Sequence, residues 1–224
     1  MSAKKIVSKK SGFLISFEGG EGGGKTTQSA RLVKQLQETG VQVLALREPG
    51  GTVVSEQIRE VVLSAKNTSI VDEAEVLLFQ AARAQIYRQV VLPALAQGTV
   101  VIMDRTRDSS VVYQGIVRGF GVDLIEQLNN FSTQQTYPDL TLLLDVPVSI
   151  GLERKMSDQE LNRLDVEADN FHQQVNSAYL QLAEQDKSGR WLVIDASAPM
   201  DVVAEQIWQA VQQQLPSHLP TSRN

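Results

Sequence analysis

The chain contains no cysteine, so disulfides, zinc–thiolate sites and thiol chemistry are excluded, a composition that fits a reducing cytoplasm. Histidine is scarce, and neither His172 nor His218 has neighbours arranged for catalysis. No apolar run approaches the length needed to span a membrane. Segment 1–12 carries four lysines but no apolar signal core, and is expected to be a basic, flexible leader. Positive charge is not in excess: 21 basic against 26 acidic side chains give a formal net charge of −5. General affinity for nucleic acid or for an anionic membrane is therefore not expected. Basic residues that do cluster should serve one anionic ligand. Internal repeats and low-complexity linkers are missing too, so one domain over 13–215 is the economical reading, with a flexible tail at 216–224.

Against these absences stands one dense signal. Gly19, Gly20, Glu21, Gly22, Gly23, Gly24, Lys25 and Thr26 satisfy G-x-x-x-x-G-K-[ST]. An apolar stretch of strand length, Phe13 to Phe17, precedes them, and Ala30, Val33 and Leu36 recur at helical spacing afterwards. A glycine-rich turn between strand and helix lets successive backbone N–H groups, Thr27 included, curl around a phosphate chain. The helix N-terminus adds partial positive charge. Lys25 can then reach the outer phosphates of a nucleoside triphosphate, and the Thr26 hydroxyl can ligate Mg²⁺. A guanine-reading N-K-x-D is absent, which removes the nucleotide-switch GTPases.

Short apolar runs alternate with helical segments along the rest of the chain, the mark of an α/β fold with a parallel sheet covered on both faces. Strands are expected at 13–18, 42–47, 99–104, 140–146 and 191–195. Helices are expected at 26–39, 53–64, 72–97, 109–119, 122–132, 147–156, 166–186 and 200–214. Asp72 and Glu75 have capping-box spacing, and Gly40 and Gly98 stand where helices should end. Every strand except the last precedes a polar or glycine-rich loop, where ligands gather in open α/β sheets.

Several of these loops carry charge. Arg47-Glu48-Pro49-Gly50-Gly51-Thr52 builds a fixed turn that holds its charged side chains, although alone it also fits an ordinary surface turn. Phe79 and Arg83 share a helix face and can together stack on a base and bond its edge, while Phe79 alone also reads as core. Asp104-Arg105 follows four apolar residues and must emerge at the sheet edge. There Arg105 can fork onto a phosphate and Asp104 can receive Mg²⁺ through water or hold Arg105. Ser109, Ser110, Tyr113, Gln114 and Arg118 follow within about three helical turns and form either a substrate lining or a solvated face. The polar segment 154–166 brings Arg154, Lys155 and Arg163, fit for a lid over a triphosphate or for a solvated loop.

Taken together the chain resembles the thymidylate kinase family, nucleoside monophosphate kinases that make dTDP from dTMP and ATP. The matching stretches are F-E-G-x-E-G-x-G-K-T-T at 17–27, R-E-P-G-G-T at 47–52 and E-x-x-L-F-x-A-x-R at 75–83. They continue with P-A-L-x-x-G at 93–98, the run D-R to R-G at 104–119, P-D-L-T-x-x-L-D at 138–145 and N-R-L-D at 162–165. The resemblance implies a five-stranded parallel sheet wrapped by helices, a P-loop three-layer architecture with a short lid, and usually a homodimer. By position it implies that the thymine stacks on Phe79 and is read by Arg83, Ser110 and Gln114, with Ser109 nearby and Tyr113 against the sugar. Arg59 and Arg105 would grip the dTMP phosphate, with Glu21 and Glu48 near the sugar and phosphate. Glu18, Asp104 and Thr26 would organise Mg²⁺, and Lys25, Arg105, Arg154 and Arg163 would carry the catalytic charge. A kinase of another monophosphate, a deoxynucleoside kinase, or a nucleotide-binding protein without catalysis are the rival readings. The sequence departs from the family at Thr106, where an aromatic is usual, at Val112, which adds bulk beside Tyr113, and at Met156 and Asp158 in the lid, where further basic residues are common.

Overall fold

The computed structural model describes residues 11–156, 162–165 and 167–219. Most of the expected leader, part of the lid including Asp158, and the last five residues of the expected tail lie outside these.

The elements run β1 (Phe13–Glu18), α1 (Lys25–Glu38), β2 (Val43–Arg47), α2 (Val53–Leu63), α3 (Asp72–Ile86), a π-helical stretch Tyr87–Val91 and α4 (Leu92–Ala96). Then come β3 (Val100–Asp104), α5 (Arg107–Ser110), a second π-helical stretch Val111–Val117, α6 (Val122–Ser132) and β4 (Leu140–Asp145). The chain continues through α7 (Val148–Met156), α8 (Asp169–Gln185), β5 (Trp191–Asp195) and α9 (Met200–Gln214). All strand pairs are parallel, in the order β2-β3-β1-β4-β5. β1 is central because its side chains bury on both faces: Phe13, Ile15 and Phe17 pack with Leu32 and Leu36 of α1 and Ile207 and Val211 of α9. Leu14 faces the other way, with Val101, Met103, Ile86, Tyr87 and Val91. That alternation makes the expected three layers.

The register sets the site. Phe17 pairs with Asp104 and Asp104 with Arg47, so the chain leaves β1, β3 and β2 at one level along one edge.

Helix starts and stops follow local chemistry in most places. Thr52 caps α2, its hydroxyl accepting from the Ser55 N–H at 3.1 Å. Gly40 and Gly98 adopt positive φ just past their helices, as expected. The expected capping box at α3 does not form. Val71 is the N-cap, and Glu75 turns inward to bond Gln114 and Arg163 instead.

Candidate active site

Four of the five strands deliver loops to one cleft of about 760 Å³. After β1 the chain curls through Gly19–Gly24 into α1. Gly24 sits at the helix N-cap in left-handed backbone (φ 80, ψ 15) with no side chain capping the first turn, so those N–H groups face the loop. The loop is backed by α7. A Cβ on Gly22 would lie 1.9 Å from the Gly151 carbonyl oxygen, and one on Gly151 only 2.3 Å from that of Glu21. Lys25 is buried and donates to the carbonyls of Gly19 at 3.2 Å and Gly20 at 2.6 Å. Burial first, and the neighbouring Arg105 second, push its pKa down to about 8.

The phosphate loop and the β3 terminus meet directly. Thr26 Oγ1 donates to Asp104 Oδ2 at 2.6 Å, and Arg105 Nη2 reaches Glu21 Oε1 at 2.6 Å. Burial works to raise the Glu21 carboxyl, but Arg105, Lys25 and Lys155 outweigh it and hold its pKa at about 2. Arg105 stands at φ 65, where an L side chain is strained, at the turn out of the strand. Its guanidinium is fixed further by Gly19 O at 3.0 Å, Tyr179 Oη at 3.2 Å and Ser109 Oγ at 3.4 Å. Behind this group Glu18 accepts from the Thr106 N–H at 2.9 Å, Ser109 Oγ at 2.6 Å and Tyr179 Oη at 2.9 Å. Burial, reinforced by the charge of Asp108, raises Glu18 to a pKa of about 7.

At the far end Arg83 is buried and fully engaged. It donates to Glu48 Oε2 at 2.7 Å, Ser110 Oγ and Asn129 Oδ1 at 2.9 and 2.8 Å, and the Thr106 carbonyl at 3.1 Å. Burial raises the Glu48 carboxyl, opposed by the guanidinium of Arg83. Gln114 Nε2 donates to Glu75 Oε1 at 2.8 Å. Phe79 is half-buried on the wall, and Arg59 donates to the Pro49 carbonyl at 2.8 Å from the rim. Tyr113 lies under Arg105, 5.3 Å from guanidinium carbon to ring centroid, with its hydroxyl on Glu21 at 3.2 Å. One wall therefore offers amide donors and cations for a polyphosphate, and the other an aromatic face and fixed polar groups for a planar base.

Residues 17–207 match the family model described as thymidylate kinase. A thymidylate kinase of Geobacillus sp. (strain WCH70) is 44% identical over 206 residues, covering 91% of this chain and 98% of that protein. One from Magnetococcus marinus is 45% identical over 202 residues, covering 90% and 96%. The crystal structure of thymidylate kinase from Ehrlichia chaffeensis superposes with TM-score 0.74 at 31% identity, covering 90% of this chain and 99% of that one. The chain belongs to the thymidylate kinase family.

Most residues expected from the thymidylate kinase resemblance do line the cleft: Glu21 to Thr27, Glu48, Arg59, Phe79, Arg83, Asp104, Arg105, Ser109, Ser110, Tyr113, Gln114 and Arg154. Four expectations change. Glu18 does not line the cleft, and its carboxylate is taken up by Thr106, Ser109 and Tyr179, which gives a direct metal role no support. Arg163 is turned from the phosphate loop and bonds Glu75 and the Val62 carbonyl. Val112 buries in the core with Leu143 and Val175, so its bulk does not narrow the cleft. Gly19 and Gly20 contribute through carbonyls facing Lys25 and are not part of the cleft surface. Thr106, a further departure, is buried and donates to Glu48 Oε1 at 3.0 Å.

Sequence reasoning missed the loop after β5. Ala196 to Met200 line the cleft beside α1, where Gln28 Nε2 donates to the Met200 carbonyl at 2.9 Å, with Val203 next to them. From Ala196 to Met200 the loop has neither glycine nor charge to mark it, and its position at a strand's C-terminal end is the usable signal. Asn129 bonds Arg83 from α6, where no local pattern marks it, and Tyr179 of α8, which with Phe171 and Val175 follows the N-R-L-D stretch of the resemblance, bonds Arg105.

Proposed function

We propose that this chain transfers the γ-phosphoryl group of ATP to dTMP within this cleft, giving dTDP and ADP, with the following division of labour. ATP phosphates lie on the amides of Gly22–Thr27, with Lys25 at the outer phosphates. The dTMP phosphate meets Arg105 and Arg59, its sugar lies by Tyr113, Glu21 and Glu48, and its base lies between Phe79 and the polar set Arg83, Ser110 and Gln114. Ser109 steadies Arg105. The observation that supports this reading best is the contact of the two anion-binding elements, Arg105 with Glu21 at 2.6 Å and Thr26 with Asp104 at 2.6 Å, which suits a donor and an acceptor lying end to end.

Positioning and charge neutralisation do most of the work in phosphoryl transfer. The acceptor atom is a phosphate oxygen, already ionised at neutral pH, so no general base is required. Arg105 aims it, and Arg154, which reaches the Ala196 carbonyl at 3.1 Å and lies 3.5 Å from that of Gly22, supplies charge from the donor side. The Thr26 hydroxyl and Asp104 carboxylate are hard oxygen donors side by side, a fit for Mg²⁺ held by one or two protein oxygens and the phosphates. Bound there, Mg²⁺ supplies neutralisation of phosphate charge. No cluster of three metal-binding side chains exists among the described residues, in keeping with a metal that arrives with its nucleotide.

The same proposal includes a cytoplasmic setting, suited to a cysteine-free chain, and a homodimer. Apolar side chains stay exposed on α2, α3 and α6, which pack side by side: Val53 (78%), Leu77 (61%) and Phe131 (84%).

A coupled assay of ADP release with dTMP, dUMP, dCMP, dGMP and thymidine as acceptors tests the activity, with dTMP expected to turn over best. Arg105→Ala is expected to lower kcat/KM for dTMP by about a hundredfold or more. Near-normal dTMP turnover in that variant would refute the assignment.

A further inference from the structure

Among the side chains facing the base end of the cleft, Gln114 is the one whose chemistry is ambiguous. Its amide can offer a base either two N–H donors or a carbonyl acceptor, depending on which way it is turned. In this fold the choice is made by Glu75, a buried residue of α3 that does not itself line the cleft. Gln114 Nε2 donates to Glu75 Oε1 at 2.8 Å, and an ionised carboxylate only accepts, so the reverse orientation would set lone pairs against lone pairs. The Gln114 carbonyl oxygen is thereby left for a ligand, and no hydrogen bond within the described protein reaches it. Glu75 is held in place from its other oxygen. Arg163 Nη2 bonds Oε2 at 2.5 Å, and Arg118 Nη2 lies 3.5 Å from the same atom. Arg163 belongs to the short 162–165 segment and is anchored again through Nε on the Val62 carbonyl at 3.2 Å.

Resting on the reading of Gln114 as a residue that meets the acceptor base, we infer that Glu75 is a positioning residue that sets base specificity by locking the Gln114 amide with its acceptor toward the cleft. A fixed acceptor there selects a base edge that carries a ring N–H. Thymine and uracil have that hydrogen at N3; cytosine has a lone pair. The electrostatic cost of burying Glu75 is met by two guanidinium groups, so the chain Arg163–Glu75–Gln114 converts a cation near the lid into a hydrogen-bond polarity at the base. Arg163 thus acts on the acceptor side, through Glu75, and not on the transferred phosphoryl group.

Glu75→Gln tests this, because it keeps the shape and removes one acceptor. The single carbonyl of the new amide is claimed by Arg163 and Arg118, so its NH₂ faces Gln114. Gln114 must then turn its own carbonyl inward and present NH₂ to the base. Donor opposes donor for thymine and uracil, and the mismatch with cytosine at N3 disappears. KM for dTMP and for dUMP is expected to rise together by about tenfold to a hundredfold, the range for an unmatched buried polar pair. The preference for dTMP over dCMP should shrink, while the ratio of dTMP to dUMP stays constant, since N3–H is common to both. In a Gln114→Ala background the added Glu75→Gln change should have no effect on base discrimination, which a merely structural role for Glu75 does not predict.

Glu75→Asp provides the second route if Glu75→Gln does not fold. It keeps the charge for Arg163 and Arg118 but withdraws the carboxylate from Gln114 by one methylene, and a rise in KM for dTMP that vanishes in the Gln114→Ala background is expected. A folded Glu75→Gln enzyme with wild-type KM and wild-type dTMP-to-dCMP preference overturns the inference, as does an effect that persists without Gln114. In the Asp variant an unchanged KM overturns it equally. Wild-type enzyme is measured first: failure to phosphorylate dTMP strikes the functional reading, whereas normal dTMP turnover with an indifferent Glu75 strikes only this inference.

Discussion

Lys25 shows how one residue can couple pH to substrate capture. Burial and the positive charge of Arg105 hold its pKa near 8 in the free protein, against an ordinary 10.5. A lowered lysine pKa means that the neutral amine becomes populated above pH 8, before phosphate arrives. Phosphate charge then raises the pKa again, so the bound complex stays protonated to higher pH. The expected profile is a kcat/KM for ATP that falls about tenfold per pH unit above 8, with kcat nearly flat across the same range. A kcat that falls in step with kcat/KM would place the titration elsewhere. Lys25 and Arg105 were both legible from sequence, since a lysine closing a glycine-rich loop and a charge after four apolar residues are local signals. Arg163 was not, because its partner Glu75 lies 88 residues away in sequence and only the packed helices bring them together.

At the scale of elements, the backing of the phosphate loop by α7 depends on two missing side chains. Gly22 and Gly151 let the two backbones approach so closely that a Cβ on Gly151 would sit 2.3 Å from the Glu21 carbonyl oxygen. Backbone atoms cannot yield as a flexible side chain does, so Gly151→Ala must push the loop or the helix aside. The displaced loop residue is Glu21, whose carboxylate also holds Arg105. Because that link serves both anion sites, KM for ATP and for dTMP are each expected to rise by about fivefold or more, with about 1–3 kcal/mol of stability lost to overpacking. Unchanged KM values in a folded Gly151→Ala enzyme would show the loop to be independent of α7. The sheet itself was readable to within a residue or two at each strand, because buried parallel strands are continuous apolar runs. The π-helical stretches were not. Tyr87–Val91 precedes Pro93, which cannot donate to the turn before it, and the helix widens there while the 3.6-residue pattern of apolar positions continues almost unbroken. The expected helix over 109–119 likewise starts earlier, at Arg107, and is π-helical from Val111 to Val117.

For the whole molecule, the faces that remain apolar bear on the cleft. α2 and α3 each carry two kinds of residue: Arg59, Phe79 and Arg83 toward the acceptor end, and Val53, Val61 and Leu77 exposed to solvent. A two-fold dimer through these helices and α6 would cover the exposed set and brace the wall that holds the base. In such an interface every substitution acts twice, and a charge near the axis faces its own copy. Leu77→Glu combined with Phe131→Asp is therefore expected to convert a particle of twice 24.6 kDa into one of 24.6 kDa in sedimentation at micromolar concentration. Both positions are largely exposed in the single chain, so the thermal transition of the monomer should shift little beyond the loss of association itself. KM for dTMP should rise more than KM for ATP, because α1, which follows the phosphate loop, and α9 pack on the opposite face of the sheet from the end of α3 and do not depend on the bracing. Equal rises for both substrates would mean that dissociation loosens the whole fold, and a wild-type chain that already sediments at 24.6 kDa would remove the dimer from the account.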